Sequence, residues 1–150
     1  MKRISVFLFG FLVVVFMVSN VFSAGTPDQA KKLAEEAAAF FKANGKDKAF
    51  AAFNDPKGKF IKDDLFIFVL DMKGVIISYA VNQKMIGKDL HDMKDPDGKE
   101  FVKEQIETAK KGSGWVDYKF TNPITKKVQD KTSYIIKLDN TYYLGCGAFK

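Results

Sequence analysis

The chain has 150 residues, of which 47% are hydrophobic and 14% aromatic, and its formal net charge is +6. This composition excludes a disordered chain, and the scattered placement of the basic residues argues against a nucleic-acid-binding protein. Because Cys146 is the one cysteine, an intramolecular disulfide framework is impossible.

The N-terminus has the pattern of an export signal. Lys2 and Arg3 precede an almost unbroken apolar run over residues 4–18, which is the order of charged and apolar segments in a secretory signal peptide. Val21 and Ser23 suit the third-last and last positions before a cleavage site. Cleavage is therefore predicted after Ser23.

The predicted signal peptide covers residues 1–23 and leaves 127 residues, 24–150, for the mature domain. That length suits one compact domain with its own hydrophobic core. We expect this domain in the periplasm or secreted. Because the apolar run approaches the roughly 20 residues that span a bilayer, the alternative is an uncleaved helix that anchors the chain in the inner membrane.

Two helices are predicted at the start of the mature domain. Thr26 as N-cap, Pro27 at the first helical position and Gln29 reaching back form a capping box. Apolar residues then recur at helical spacing until Gly45 ends a long helix. A second, short helix is predicted over residues 47–53.

The next segment predicts a β-hairpin. Residues 65–70 form a continuous apolar run, which is typical of a strand buried on both faces in the middle of a sheet. Residues 71–74 form a turn, and residues 75–79 return as a second strand. The following connection, residues 80–98, is long for a compact domain, and such connections are often functional.

The C-terminal half predicts one helix and three strands. Residues 100–111 carry acids early and lysines late and are followed by Gly112, as the helix dipole and C-cap rules favour. Strict alternation over residues 115–120 indicates a strand. Two further runs, residues 131–138 and 142–149, complete a three-stranded meander.

The element order is helix, helix, strand, strand, long connection, helix and three strands. This order predicts an α/β (α+β) domain of the PAS-like type. We expect a central antiparallel sheet of about five strands, with the long N-terminal helix covering one face.

A ligand pocket is predicted beside the 80–98 connection, where aromatic side chains from several strands could converge. Aromatic residues supply apolar walls, and Tyr and Trp add hydrogen-bond donors. A lysine would supply the cationic partner for a carboxylate. The candidate ligand-binding residues are Tyr79, Lys88, His91, Trp115, Tyr118, Lys131 and Tyr134. For each aromatic residue the alternative, core packing, stays open.

Motifs for catalysis are weak. His91 has no obvious Ser or Cys partner, and the nucleophile elbow of α/β-hydrolases is absent. Cys146 lies in an apolar run, where a small buried hydrophobe is favoured over a reactive thiol. We therefore predict no enzyme activity, and keep as the alternative a small periplasmic enzyme or redox or haem protein that uses His91 or Cys146.

Motifs for cofactors are also weak. The C-x-x-C-H motif of c-type haem attachment is absent. Residues 93–104 resemble a calcium loop but lack its first carboxylate, so they are interpreted as a turn that precedes a helix. Gly145 and Gly147 lie inside a strand pattern, where glycine allows close approach of a backbone or ligand and suits a pocket floor. No cofactor and no metal are predicted.

Five segments together resemble the single Cache domain, type 2. They are residues 40–45, 53–60, 86–90, 95–99 and 112–118, and they occur in order over nearly the whole mature chain. The resemblance implies an extracytoplasmic PAS-like sensor that binds a short organic anion such as acetate, propionate or pyruvate.

Sensors of this family usually continue into a transmembrane helix, whereas this sequence stops at Lys150. The resemblance therefore implies a free-standing binding protein that acts through a partner, for which a membrane receptor or a sensor kinase is the candidate. The family often has a His before a Pro after its second strand, and this chain departs from that pattern at residues 78–81. The identity of the ligand stays open.

Overall fold

The computed structural model describes residues 24–150; the predicted signal peptide, residues 1–23, lies outside the described residues. The helices are α1 (Pro27–Asn44), α2 (Lys46–Asn54) and α3 (Phe101–Lys110), and a 3-10 helix covers Ala80–Met85. The strands are β1 (Ile61–Lys62), β2 (Leu65–Asp71), β3 (Ile76–Tyr79), β4 (Ser113–Thr121), β5 (Val128–Lys137) and β6 (Tyr142–Phe149). Among the described helices, none is both long and apolar enough to span a bilayer.

Helix α1 begins with the predicted capping box. The Gln29 amide donates to the Thr26 hydroxyl over 3.3 Å, and the Thr26 amide donates to the Gln29 side chain over 2.9 Å. The helix ends at Gly45, whose φ of 76° lies in the left-handed region that glycine tolerates. One stripe of α1 is fully buried and packs against β5 and β6.

All strands pair antiparallel, in the order β1-β2-β6-β5-β4, and β3 also pairs with β2. The predicted hairpin is therefore β2 and β3, and the predicted meander is β4, β5 and β6. Strand β2 is buried over Leu65–Leu70 because it lies inside the sheet with helices on both faces. The sixth strand, beyond the five expected, is the two-residue β1.

The sheet has two covered faces, which we name the α1 face and the α3 face after the helix that packs on each. Because side chains alternate along a strand, β2 sends Ile67 and Val69 to the α1 face and Phe66 and Phe68 to the α3 face. Helix α3 and part of the long connection after β3 cover the α3 face. This layer contains the candidate site.

Candidate ligand site

A small cavity lies in the α3 face, between α3, the β2–β3 hairpin and strands β4 and β5. Its volume of about 30 Å³ is room for about two water molecules. Most of its wall is apolar, with four polar side chains and no carboxylate among the lining residues. These residues are Phe68, Leu70, Ile76, Tyr79, Leu90, Phe101, Val102, Gln105, Tyr118, Phe120 and Lys131. The polar groups are hydrogen-bond donors and one cation, which is the chemistry of an anion site.

Lys131 is the charged group of the cavity and is 2% exposed. Its ammonium lies 5.0, 5.4 and 4.7 Å from the ring centres of Phe66, Phe120 and Phe149. Across the described part of the chain, no carboxylate lies within salt-bridge distance of this ammonium. Burial therefore lowers the pKa of Lys131 to about 8, against the weaker opposing effect of Asp64.

Room for the Lys131 side chain comes from a glycine on the neighbouring strand. Ser133 pairs with Gly147 across β5 and β6, and a Cβ at position 147 would overlap the Lys131 Cε and the Ser133 Oγ. A Cβ at Gly145 would likewise overlap the end of the Phe68 ring. Both glycines lie beneath side chains that line the cavity, which fits the predicted pocket floor.

Two tyrosines supply hydroxyl groups to the cavity. The Tyr118 hydroxyl is 2.9 Å from the Ser133 Oγ, and its ring stacks on Phe101 with ring centres 4.5 Å apart. The backbone amide of Tyr79 donates to the Asn54 Oδ1 over 3.0 Å, which ties the end of β3 to α2. Burial raises the pKa of Tyr79 to about 12 and raises that of Tyr118 as well. Both phenols are therefore protonated donors at neutral pH.

The predicted convergence of four aromatic side chains holds for two of them. Tyr79 and Tyr118 line the cavity, whereas Trp115 and Tyr134 lie on the other face of the sheet, with ring centres 4.9 Å apart. The Lys31 ammonium of α1 lies 5.2 Å from the centre of the Tyr134 ring. The alternation that predicted β4 already separates Trp115 from Tyr118, because odd and even positions face opposite ways.

The two candidates on the long connection lie outside the cavity. Lys88 is exposed, and its carbonyl accepts from the Ile76 amide over 3.0 Å. The His91 side chain is 43% exposed, and its Nδ1 is 3.0 Å from an Asp92 carboxylate oxygen. Residues 87–90 run antiparallel to residues 74–76 and bring Leu90, between the two candidates, into the cavity wall.

Gln105 is a polar cavity residue that the sequence reasoning missed. It is 2% exposed, and its Oε1 accepts from the Tyr143 hydroxyl over 3.2 Å. The sequence did indicate that Gln105 is buried, because it lies on the apolar stripe of α3 between Val102 and Ile106. A polar residue at a core position of a helix often serves a buried network or a site.

The segment with a resemblance to a calcium loop is a turn, as predicted. The Asp95 carboxylate accepts from the backbone amides of Asp97, Lys99 and Lys119 over 2.9 to 3.0 Å. The bond from the Lys119 amide is the largest cause of the lowered pKa of Asp95. Because Lys119 belongs to β4, this carboxylate fixes the connection to the sheet. Among residues 24–150, no cluster of three or more potential metal ligands is found.

Cys146 lies on the α1 face, away from the cavity wall, and is fully buried. Burial raises the pKa of its thiol to about 12. The thiolate is the reactive form of cysteine, so this thiol is inert at neutral pH.

We expect Cys146 to stay unmodified when the folded protein is treated with iodoacetamide at about pH 7.5, and to react fully once the protein is unfolded in guanidinium. Mass spectrometry of the intact chain reads out the modification. Rapid alkylation of the folded protein would show that the thiol is accessible and would restore the redox alternative.

Comparison with known proteins places this architecture among sensory domains. A model of the family described as single Cache domain 2 matches residues 13–149. The sensor histidine kinase MctS of Rhizobium johnstonii is 34% identical over 87 residues, which is 57% of this chain. The chain spans about a fifth of that relative's length, 19%.

Solved structures share the fold. A methyl-accepting chemotaxis protein from Vibrio parahaemolyticus superposes with a TM-score of 0.71 at 21% identity, over 81% of this chain and 86% of the other. A periplasmic sensor domain of a chemotaxis protein gives 0.63 at 23% identity, over 81% and 88%. A Cache chemosensory domain studied for carboxylic acid recognition gives 0.61 at 23% identity, over 81% and 86%.

Proposed function

Because this chain belongs to the single Cache domain 2 family, we propose that its α3-face cavity binds a short carboxylate and that the protein reports binding to a signalling partner. Cache domains are extracytoplasmic sensor domains of signal-transduction proteins. The observation that carries the ligand class is the buried Lys131 ammonium, which has no carboxylate within salt-bridge distance across the described part of the chain.

A carboxylate supplies what this site lacks. A buried charge is costly unless it is paired and hydrogen-bonded, and an anionic ligand beside Lys131 would pair it. The Tyr79 hydroxyl makes no hydrogen bond to another side chain or backbone group among residues 24–150 and can donate to the same carboxylate. The Tyr118 hydroxyl can accept from Ser133 while it donates to the ligand.

The remaining cavity wall favours a short alkyl group. Phe68, Ile76 and Leu90 surround a space of about 30 Å³, so the ligand-free cavity has room for about two water molecules. An acid of two or three carbons needs the smallest displacement of these side chains. Longer acids would have to move Leu90 or Phe101, which lie on the connection and on α3.

The relatives support both parts of the proposal. Carboxylic acid recognition is the stated property of one Cache domain that shares this fold, and the other relatives are a sensor kinase and chemotaxis proteins. We propose a membrane receptor or sensor kinase as the partner. Residues 1–23 would export the domain, residues 24–150, as a cleaved signal peptide, or would anchor it to the inner membrane if they are not cleaved.

The test of the ligand class is isothermal titration calorimetry of the purified chain with acetate, propionate and pyruvate, and with the matching amides acetamide and propionamide. We expect the acids to bind and the uncharged amides not to bind, because the amides cannot pair with a buried ammonium. Equal binding of acids and amides, or no binding of any acid, would contradict the proposal.

Replacing Tyr79 with phenylalanine should weaken carboxylate binding about tenfold or more, because a hydrogen bond to a charged group contributes about 1.5 to 3 kcal/mol. The matched control is Tyr134→Phe, which removes a hydroxyl that donates to Ser113 on the α1 face. Calorimetry with propionate should leave the control unchanged. Equal losses in the two variants would exclude a direct contact by Tyr79.

A further inference from the structure

We propose that Lys131 is a reversible covalent attachment site, whose amine condenses with the carbonyl group of a small 2-oxo acid to form an imine. The inference rests on the proposed function, since it uses the same cavity, and it adds a bond that a simple carboxylate cannot make. Lysine amines form Schiff bases with carbonyl compounds when they are desolvated. The cavity wall brings together such an amine and hydroxyl donors.

The step balances without an oxidant or reductant. The neutral Lys131 amine attacks the carbonyl carbon, a carbon–nitrogen bond forms, and the carbonyl oxygen leaves as water after taking up two protons. Both protons come from the two N–H bonds of the neutral amine, and the neutral imine then takes up one proton from the solvent to become the protonated imine. The carboxylate of the 2-oxo acid is unchanged and can accept from the Tyr79 and Tyr118 hydroxyls. Hydrolysis reverses the reaction.

The nucleophile is available because desolvation lowers the pKa of Lys131 and so enlarges its neutral fraction. With a pKa of about 8 in place of 10.5, the neutral fraction at pH 7 is about 300-fold larger than that of an ordinary lysine. Lys103 shows the contrast, since its hydrogen bonds to Asp92 and Glu100 raise its pKa. Lys131 has no such carboxylate to retain its proton among residues 24–150.

The surroundings favour an imine over a carbamate formed with carbon dioxide. Three ring faces lie within 5.4 Å of the Lys131 nitrogen, and ring faces stabilise a positive charge. A protonated imine keeps that charge at the nitrogen. A carbamate would replace it with a negative charge beside the same rings, which is unfavourable.

The test is reductive trapping of the purified chain with pyruvate and sodium cyanoborohydride at about pH 8. Trapping should add the mass of pyruvic acid less one oxygen atom, once per chain, and peptide mapping should place the addition on Lys131. Excess propionate, which has no carbonyl group to condense, should suppress the addition by occupying the cavity. Lys131→Arg keeps the charge without a nucleophilic amine and should show no addition at this site.

Calorimetry separates the two proposals. Binding of propionate and pyruvate without trapping at Lys131 would overturn the imine and leave the carboxylate site standing. If neither acid binds and nothing is trapped, both fail. Slow addition spread over several lysines and unaffected by propionate would show that only surface lysines react, and it would also overturn the inference. Peptide mapping is done on the protein without any substitution, so this result does not depend on whether a variant folds.

Discussion

Replacing Lys131 with methionine should strongly weaken carboxylate binding and at the same time stabilise the ligand-free protein at neutral pH. Methionine is unbranched and flexible, so it can fill the space of the lysine stem without carrying a charge. Removing one partner of a buried charge pair costs about 2 to 5 kcal/mol. The affinity for propionate should therefore fall by about 30-fold or more.

The stability gain follows from the desolvation of Lys131. The folded-state pKa of about 8 lies below the ordinary value of 10.5, so the unfolded chain binds more protons between these pH values. The buried lysine therefore lowers the free energy of unfolding by its full amount below about pH 8, and this loss of stability becomes smaller as the pH rises toward the ordinary lysine pKa. The variant should be more stable by about 1 to 3 kcal/mol at pH 7. The gain is smaller than the full desolvation cost because the ring faces stabilise the ammonium in the parent protein.

Urea unfolding at about pH 7 and pH 9 measures both the size and the sign of this effect. The difference between Lys131→Met and the unmodified protein should be largest at pH 7 and smaller at pH 9. Measurements should stay below pH 10. At higher pH, tyrosines exposed by unfolding ionise, and this lowers the stability of the native state for a separate reason. A variant that is less stable than the parent at pH 7, or a difference that grows with pH, would contradict a desolvated lysine.

Replacing Gly147 with alanine should remove most carboxylate binding, although the substitution adds only a methyl group. The new Cβ would overlap the Lys131 Cε and the Ser133 Oγ, so the ammonium has to leave its place among the rings. Overpacking of this kind costs about 1 to 3 kcal/mol of stability. Calorimetry with propionate and urea unfolding provide the two measurements.

Gly145→Ala is the matched comparison in the same strand. Its Cβ would overlap the Phe68 ring and approach the Ile135 Cδ1 to 2.8 Å, and its nearest neighbours belong to these two residues and not to Lys131. Gly145→Ala should lose stability, whereas in Gly147→Ala the rehydration of Lys131 offsets part of the overpacking cost. Only Gly147→Ala should lose the pH dependence between about pH 7 and 9, because a displaced Lys131 regains water. Retention of that pH dependence in Gly147→Ala would show that Lys131 keeps its buried position.

Local signals predicted the elements well. The capping box at Thr26 and Gln29, the continuous apolar run before Asp71, and the alternation along β4 each depend on residues close in sequence. The short β1 was missed because two residues cannot show a period. The spacing of Gln105 from the apolar residues of α3 also predicted its position in the core.

The placement of side chains in the site required long-range information. Alternation separates Trp115 from Tyr118, yet it cannot tell which set faces α3 and the cavity. Lysine is rarely buried, so nothing near Lys131 distinguished it from the exposed Lys88. Its position depends on Gly147, which meets the Lys131 side chain only when β5 and β6 pair.

The sequence by itself therefore determined the order of the helices and strands and the family resemblance, because these depend on short-range spacing. Only the tertiary structure decided that Lys131, Tyr79 and Tyr118 share one cavity while Trp115 and Tyr134 lie on the other face. Strand pairing and helix docking set which face of each strand meets which layer, and both act between residues far apart in the chain.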